Sequence, residues 1–304
     1  MHSRRLFIKD LSTTLAGAPL IHSLAPYLRE KITKTQLEIY ATNWGFEGAV
    51  HEFCAKAKEA GYAGIEVWTP QGIEKTDELI KAVEAFDLKL GLLAGNWGAT
   101  YQDNLQTYKR SIDHALTLSP RFINCHAGKD FYPHMYNDNF LEYSYQKSSS
   151  SNIPIYHETH RGRMLYSAPV AEQYVEQFQQ LKLTLDISHW CCVHESLLAD
   201  QKERIDLLLS RVEHIHARVG FAEAPQIPDP RDPQFDGAVQ AHFAWWDAIV
   251  DDKAKKGEVI TMTTEFGPPS YMWTHLGSRK PLADNWEVNV AMKQLWEERY
   301  LNDE

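Results

Sequence analysis

Cysteine pairs are the first feature that this sequence lacks. Its 304 residues contain four cysteines, and none of them forms a Cys-x-x-Cys pair. Cys191 and Cys192 are adjacent in the chain, whereas Cys54 and Cys125 lie in predicted core elements. A cysteine zinc site and a disulfide framework are therefore not expected, and we predict buried free thiols.

Long apolar runs and basic runs are also missing. No stretch reaches the roughly 18 consecutive apolar residues of a transmembrane helix, so we expect no stable membrane span. The formal net charge is −10, and no run rich in lysine or arginine follows the first ten residues. A nucleic-acid partner is therefore not expected either.

A nucleotide-binding fingerprint and an interdomain linker are absent as well. No Gly-x-Gly-x-x-Gly motif follows any predicted strand, which argues against a doubly wound open sheet that binds a dinucleotide. No segment rich in proline and serine divides the body of the chain. We therefore expect one domain.

The body of the chain alternates short apolar or β-branched runs with longer stretches of helical periodicity. Strands are predicted at 37–42, 64–68, 88–94, 122–126, 153–158, 183–187, 214–219 and 259–265. Helices are predicted near 49–60, 73–86, 101–118, 138–148, 168–181, 196–210, 241–256 and 285–301. Eight such units in about 270 residues predict a (β/α)8 TIM barrel, which we assign to residues 31–304.

The N-terminus has a different character. Ser3-Arg4-Arg5-Leu6-Phe7-Ile8-Lys9 is followed by a modestly apolar segment at 11–25. This segment resembles a twin-arginine export signal, whose pattern is Ser/Thr-Arg-Arg-x-Phe-Leu-Lys. We interpret residues 1–30 as a leader and expect a periplasmic or otherwise exported protein, or a cytoplasmic one if the signal is not functional.

Four consecutive predicted strands end in side chains that bind metals. These are Glu158, Asp186, His216 and Glu265. In a TIM barrel the carboxyl ends of neighbouring strands meet at one face, so we expect the four side chains to converge. Three carboxylates brought together repel one another unless a cation neutralises them. Oxygen-rich ligation with one histidine predicts a divalent ion, with Mn²⁺, Mg²⁺ or Co²⁺ preferred and Zn²⁺ as the remaining alternative.

Six segments are similar to a known family: GIEVW (64–68), INCHAG (123–128), YHETHRGR (156–163), LDISHW (185–190), IHARVG (215–220) and TTEFG (263–267). Over residues 36–304 the chain resembles the xylose isomerase-like TIM barrels of the sugar phosphate isomerase/epimerase family. The resemblance implies the same four metal ligands and a substrate contact from His189. It also implies proton transfer next to a carbonyl, with Glu158 and Glu265 as the catalytic carboxylates.

Further residues are candidates for substrate binding. The family's best-known epimerases carry an arginine six residues after the metal-binding histidine, where this chain has Ala222; Arg218 and Arg161 are the cations nearest that place. His160, His126 and Glu66 are further candidates, with a structural role as the alternative for each. Asn-Trp-Gly follows the first and third strands, so Trp44 and Trp97 are predicted to form a wall that covers a sugar ring. His214 is expected to face the helical layer.

These features favour a metal-dependent sugar isomerase or epimerase that works through an enediolate. Two alternatives stay open: a lyase or hydratase acting on a keto-sugar or inosose at the same metal site, and a non-catalytic carbohydrate-binding barrel. The expected partner is a small sugar or keto-sugar. The oligomeric state stays open, an oligomer included.

Overall fold

Eight parallel strands pair in chain order and close into a barrel in this computed structural model, which describes residues 36–301. The strands are β1 (Gln36–Thr42), β2 (Gly64–Trp68), β3 (Lys89–Gly95), β4 (Phe122–His126), β5 (Ile155–Glu158), β6 (Leu183–Leu185), β7 (Val212–Ala217) and β8 (Val259–Thr264). The first strand pairs with the last, Gln36 lying opposite Val259. The predicted TIM barrel is confirmed.

Helices connect the strands and cover the barrel. They are α1 (Val50–Glu59), α2 (Ile73–Ala85), α3 (Tyr101–Thr117), α4 (His134–Ser151), α5 (Ala168–Gln177), α6 (Ile187–Val193), α7 (Lys202–Leu209), α8 (Asp236–Lys256) and α9 (Asn285–Tyr300). In α1, Phe53, Cys54 and Ala57 form the buried face. Gly61 has φ +75° just beyond the end of this helix, a left-handed conformation that glycine adopts without a steric penalty.

Side chains alternate between the two faces of each strand, which separates polar side chains inside the barrel from the hydrophobic side chains that face the helices. In β2, Ile65 and Val67 belong to the hydrophobic core, while Glu66 between them is buried among polar side chains of other strands. The interior also holds an aromatic layer of Tyr40, Phe122 and Tyr156, in which the Phe122 ring centre lies 5.3 Å from that of Tyr40 and 5.9 Å from that of Tyr156. Gly91 makes room for this layer, because a Cβ there would lie 2.5 Å from Phe122 Cζ.

Several predicted boundaries were wrong, for local reasons. The sixth strand ends at Leu185, not at 187, because Asp186 caps α6 by accepting a hydrogen bond from the Ser188 backbone N–H. The helix predicted at 196–210 consists of a short 3-10 helix at Ala199–Gln201 followed by α7, and α6, which was not predicted, precedes it. The fourth helix begins at His134, directly after Pro133, and not at 138. Tertiary contacts and capping therefore set the ends that periodicity left open.

Two sequence predictions concern features beyond the barrel itself. The four cysteines are free thiols, three of them buried, as predicted. Within residues 36–301, no helix combines the length and apolar character needed to cross a bilayer. The predicted leader at 1–30 lies outside the described residues.

Candidate metal centre

The four predicted metal ligands converge at the carboxyl ends of β5 to β8. Glu158, Asp186 and His216 are buried, and Glu265 is 8% exposed. Each offers one ligand atom, and these four atoms lie within 4.8 Å of one another. His216 Nδ1 lies 3.0 Å from Glu265 Oε2 and 3.5 Å from Glu158 Oε2. Side chains separated by as many as 107 residues in the sequence thus meet at one point.

Buried atoms without hydrogen-bond partners test whether the cluster suits a cation. Glu158 Oε1, His216 Nδ1 and Glu265 Oε2 are buried, and none of them makes a well-aligned hydrogen bond with a described residue, although the last two lie 3.0 Å apart. A polar atom left in this state is destabilising unless something else binds it. Carboxylate oxygens with one imidazole nitrogen form a donor set that hard divalent cations accept. The residues present therefore fit a divalent ion.

Glu66 lies beneath the cluster and orients His216. Its Oε2 lies 3.0 Å from His216 Nε2, so Nε2–H donates to the carboxylate and Nδ1 is the ring atom left for a cation. Burial raises the pKa of Glu66, but the adjacent His216 and His214 outweigh burial and hold it well below the usual range. Glu66 is therefore an anion at the base of the site.

His216 itself is held in its charged form when no cation is bound. Burial lowers its pKa, but the surrounding carboxylates, led by Glu265, raise it well above the ordinary value. A metal ion must displace the proton from Nδ1, so we expect metal binding to release a proton.

Asn124 links three members of the site and was not identified from the sequence. Its Nδ2 donates to Glu158 Oε2 at 2.8 Å and to Glu66 Oε1 at 3.2 Å. It also lies 3.2 Å from His216 Nε2. The signal that could have identified it is a polar residue at an inward position of an otherwise apolar strand, β4.

Arg218 is a fixed counter-cation inside the cluster. It is 1% exposed, and its Nη2 donates to Asp186 Oδ2 and lies 3.5 Å from Glu265 Oε2. Its Nε donates to Ser188 Oγ at 3.2 Å. Burial raises the pKa of Asp186 to about 7, with Arg218 opposing the rise and the other carboxylates adding to it. One guanidinium therefore does not balance the clustered carboxylates.

Three histidines next to the cluster hold different positions. His126 Nε2 lies 2.6 Å from Glu158 Oε2. The His160 ring centre lies 4.7 Å from that of His126 and 3.9 Å from that of His189. His160 Nδ1 donates to the Arg161 carbonyl at 2.5 Å. Burial, helped by His126, lowers the pKa of His160 to about 3, and burial holds the pKa of His189 well below its ordinary value, so both rings are neutral.

His214 was expected to face the helical layer, and this prediction was wrong. It is buried in the barrel interior, where Nδ1 lies 2.8 Å from Thr261 Oγ1 and Nε2 lies 3.2 Å from Glu66 Oε2. It shares the inward face of β7 with His216, two residues along the strand. Period-two alternation from His216 predicts this position, so the signal was present in the sequence.

An open cavity of about 180 Å³ leads to the cluster. Its walls include Trp44, Trp68, His126, His160, Glu265 and Tyr271. Tyr271, in the loop after β8, was not identified from the sequence, since a lone aromatic residue in a loop carries no periodic signal. Trp97 packs against Trp68, with ring centres 5.4 Å apart, and does not line this cavity. Trp44 and Trp68 thus form the aromatic wall that was predicted for Trp44 and Trp97.

Comparison with known proteins reports the same architecture. Residues 54–252 match the family described as xylose isomerase-like TIM barrel. D-allulose 3-epimerase from Methylomonas sp. superposes with a TM-score of 0.60 at 13% identity, covering 88% of this chain and 99% of that chain. No curated protein sequence matches the chain.

Two further solved structures show the range of chemistry on this fold. The probable 3-DHS dehydratase from Bacillus anthracis gives a TM-score of 0.55 at 16% identity, covering 84% of this chain and 98% of that chain. The 3-keto-D-glucoside 4-epimerase from E. coli gives 0.53 at 12% identity, covering 86% and 99%. At these identities the similarity establishes the fold alone.

Proposed function

Because the chain belongs to the xylose isomerase-like TIM barrel family, we propose that it is a divalent-metal-dependent sugar isomerase or epimerase. The proposed ligands are Glu158, Asp186, His216 and Glu265, with Mn²⁺, Mg²⁺ or Co²⁺ as the preferred ion and Zn²⁺ as the alternative. The observation that supports this most strongly is the convergence of four ligand atoms within 4.8 Å beside an open cavity.

The proposed chemistry is proton transfer at a carbon next to a carbonyl. A divalent cation held by these four ligands would supply a Lewis acid for the substrate carbonyl. Glu158 and Glu265 would each offer one carboxylate oxygen to the ion and exchange a proton with the substrate carbon through the other. Asn124 and His126 hold Oε2 of Glu158 at 2.8 and 2.6 Å, which fixes the carboxylate plane for this task. Two carboxylates on opposite faces of the carbon permit epimerisation, and one carboxylate acting alone permits aldose–ketose isomerisation.

Neighbouring side chains orient the sugar. Arg218 and His189 border the cluster on the Asp186 side, 2.8 Å apart at Nη2 and Nε2, and are proposed to bind substrate oxygens. Trp44 and Trp68 offer flat apolar surfaces to the C–H faces of a sugar ring. We further propose that the leader at 1–30 directs export, in which case free or oxidised sugars are the available substrates.

Elimination is the second proposed reaction, on a keto-sugar or inosose. His126 lines the same cavity, and its imidazole offers a place from which a proton reaches a departing hydroxyl group. The same enediolate leads to both outcomes, so the identity of the β-substituent decides between them.

Metal content and proton exchange test the proposal together. We expect purified wild-type protein offered Mn²⁺ to hold about one equivalent by elemental analysis, and Glu158→Gln to hold far less. With a substrate ketose in D₂O, deuterium should enter at the carbon next to the carbonyl, about a thousandfold more slowly in the variant. Product mass separates isomerisation, which leaves the mass unchanged, from dehydration.

The matched control is Glu172→Gln, which alters a surface carboxylate paired with Arg204 at 2.6 Å. This variant should still bind about one equivalent of Mn²⁺ and exchange deuterium at the wild-type rate. A wild-type protein that binds no metal under these conditions contradicts the proposal. Stoichiometric sugar binding without metal or exchange identifies a carbohydrate-binding barrel instead.

A further inference from the structure

Arg161, in the loop after β5, is a half-buried cation that forms no ion pair with a described residue. No described carboxylate lies within 4 Å of its guanidinium, and the hydrogen bond from its Nη1 goes to Cys192 Sγ at 3.8 Å. Two other partly buried arginines, by contrast, are paired: Arg204 with Glu172 at 2.6 Å and Arg299 with Asp247 at 2.5 Å. A cation that loses water without gaining an anion is destabilising. An anion from outside the chain that binds Arg161 would therefore gain a favourable charge interaction that the folded chain does not provide.

Arg161 does not itself line the cavity, but its guanidinium lies over the ring of Tyr271, which does. The Arg161 Cζ atom lies 5.1 Å from the centre of the Tyr271 ring, and Arg218 Cζ lies 4.8 Å from the same centre. Tyr271 lines the cavity that leads to the four-ligand cluster. The ring restrains the orientation of both guanidinium groups, but Arg218 is already bonded to Asp186 whereas Arg161 is not.

The loops around Arg161 add to the same local excess of positive charge. Arg163 Nη1 is buried without a hydrogen-bond partner. Neither Arg163 nor Lys129 has a described carboxylate within 4 Å. Burial lowers the pKa of Lys129, and the charge of Arg163 lowers it further, while the charge of Asp130 opposes both. Asp130 is the one acidic residue in the loops after β4 and β5, which carry these three cations.

We propose that the substrate is an acid sugar whose carboxylate, remote from the reacting carbon, binds Arg161. This inference rests on the proposed function, since it places the reacting end of the same molecule at the four-ligand cluster. A planar carboxylate matches the two parallel N–H groups of a guanidinium. A phosphate dianion suits the site less well, because Glu158, Asp186 and Glu265 repel it and no glycine-rich loop of backbone N–H groups follows these strands.

Three matched substrates test the proposal: a 2-ketohexose, the same ketose with C6 oxidised to a carboxylate, and its 6-phosphate. We expect wild-type protein loaded with Mn²⁺ to favour the carboxylate over the neutral ketose by at least about tenfold in kcat/KM, mainly through KM. Arg161→Gln should remove this advantage, lowering kcat/KM for the carboxylate by about 10- to 100-fold and that for the neutral ketose by much less. Arg161→Lys should restore part of it.

The control variant is Arg110→Gln, which removes the same charge from an exposed position on α3 away from the cavity. It should leave the preference intact, which excludes a general effect of net charge. Equal turnover of the neutral and acid ketoses, or an equal effect of Arg161→Gln on both, overturns the acid-sugar proposal and leaves the isomerase proposal standing. A preference for the 6-phosphate overturns the carboxylate assignment.

If the protein turns over none of the three sugars, the result counts against the proposed function. Binding measurements then test the role of Arg161 separately. Calorimetry with the carboxylate and neutral ketoses should still show a preference that Arg161→Gln abolishes and Arg110→Gln does not. Equal binding of the two ketoses by wild-type protein contradicts the role of Arg161 in either case.

Discussion

Carboxylates at the amino end of the barrel are paired with lysines and arginines, whereas those clustered at the carboxyl end are largely not. At the amino ends of the strands, Glu38 is paired with Lys89 at 2.6 Å and Arg121 at 3.3 Å. Glu213 is likewise paired with Lys182 at 2.8 Å and Lys253 at 2.5 Å. At the carboxyl ends, Arg218 is the one arginine or lysine within 4 Å of the clustered Glu158, Asp186 and Glu265 among the described residues.

This difference distinguishes carboxylates whose charge is balanced within the chain from carboxylates whose charge is not. Each paired carboxylate at the amino ends has two cations of the chain, so nothing more is needed to balance it. The carboxyl-end cluster instead has buried atoms of Glu158, His216 and Glu265 that make no well-aligned hydrogen bond with a described residue. Such an arrangement is destabilising unless a ligand binds these atoms.

The largest expected effect comes from removing the fixed cation of the cluster. Arg218→Met leaves Asp186 buried without its guanidinium, so we expect the free energy of unfolding of metal-free protein to fall by about 3 kcal/mol. Saturating Mn²⁺ should stabilise this variant more than it stabilises wild-type protein, because the ion then supplies the missing positive charge. Urea unfolding with and without Mn²⁺ measures both quantities.

Arg204→Met is the matched control, since its partner Glu172 is partly exposed. It should cost no more than about 1 kcal/mol, with or without Mn²⁺. If Arg218→Met is no more destabilising than this control, the carboxyl-end cluster does not depend on Arg218 for its charge balance.

A smaller effect is expected at the base of the site. Glu66→Gln weakens the acceptor that orients His216, so the affinity for Mn²⁺ should fall about tenfold while the fold is kept. Equilibrium dialysis or calorimetry measures the affinity, and Glu74→Gln, at an exposed position of α2, serves as the control. An unchanged affinity removes Glu66 from the site and assigns it to the barrel interior alone.

The smallest effect is expected at the amino end. Burial raises the pKa of Glu38, but hydrogen bonds from Lys89 and Tyr40 and the charge of Arg121 outweigh burial and lower it. The stability from this group is therefore present above the pKa of an unfolded glutamate and is lost as the pH falls through the folded value. Glu38→Gln should cost at most about 1 kcal/mol at about pH 7 and a smaller amount at about pH 3. Urea unfolding of both proteins at the two pH values measures this, and a constant difference contradicts it.

The barrel and four of its interior side chains followed from local patterns in the sequence. Short apolar runs alternating with helical periodicity predicted eight β/α units, because each strand and helix buries a face whose spacing is set by backbone geometry. Glu158, Asp186, His216 and Glu265 stood out because each polar residue ends an apolar run. The fold rule that parallel strands end at one face then predicted their convergence, which the structure shows.

The sequence by itself therefore determined the fold class and which strand ends bear side chains able to bind a metal, since both depend on short-range periodicity. Only the tertiary structure decided that Arg218 bonds to Asp186, that Asn124 bridges Glu66 and Glu158, and that Tyr271 reaches the cavity. These contacts depend on distances of a few ångströms between side chains from different strands and loops. No spacing along the chain encodes such distances, because they are set by how the closed barrel packs its interior.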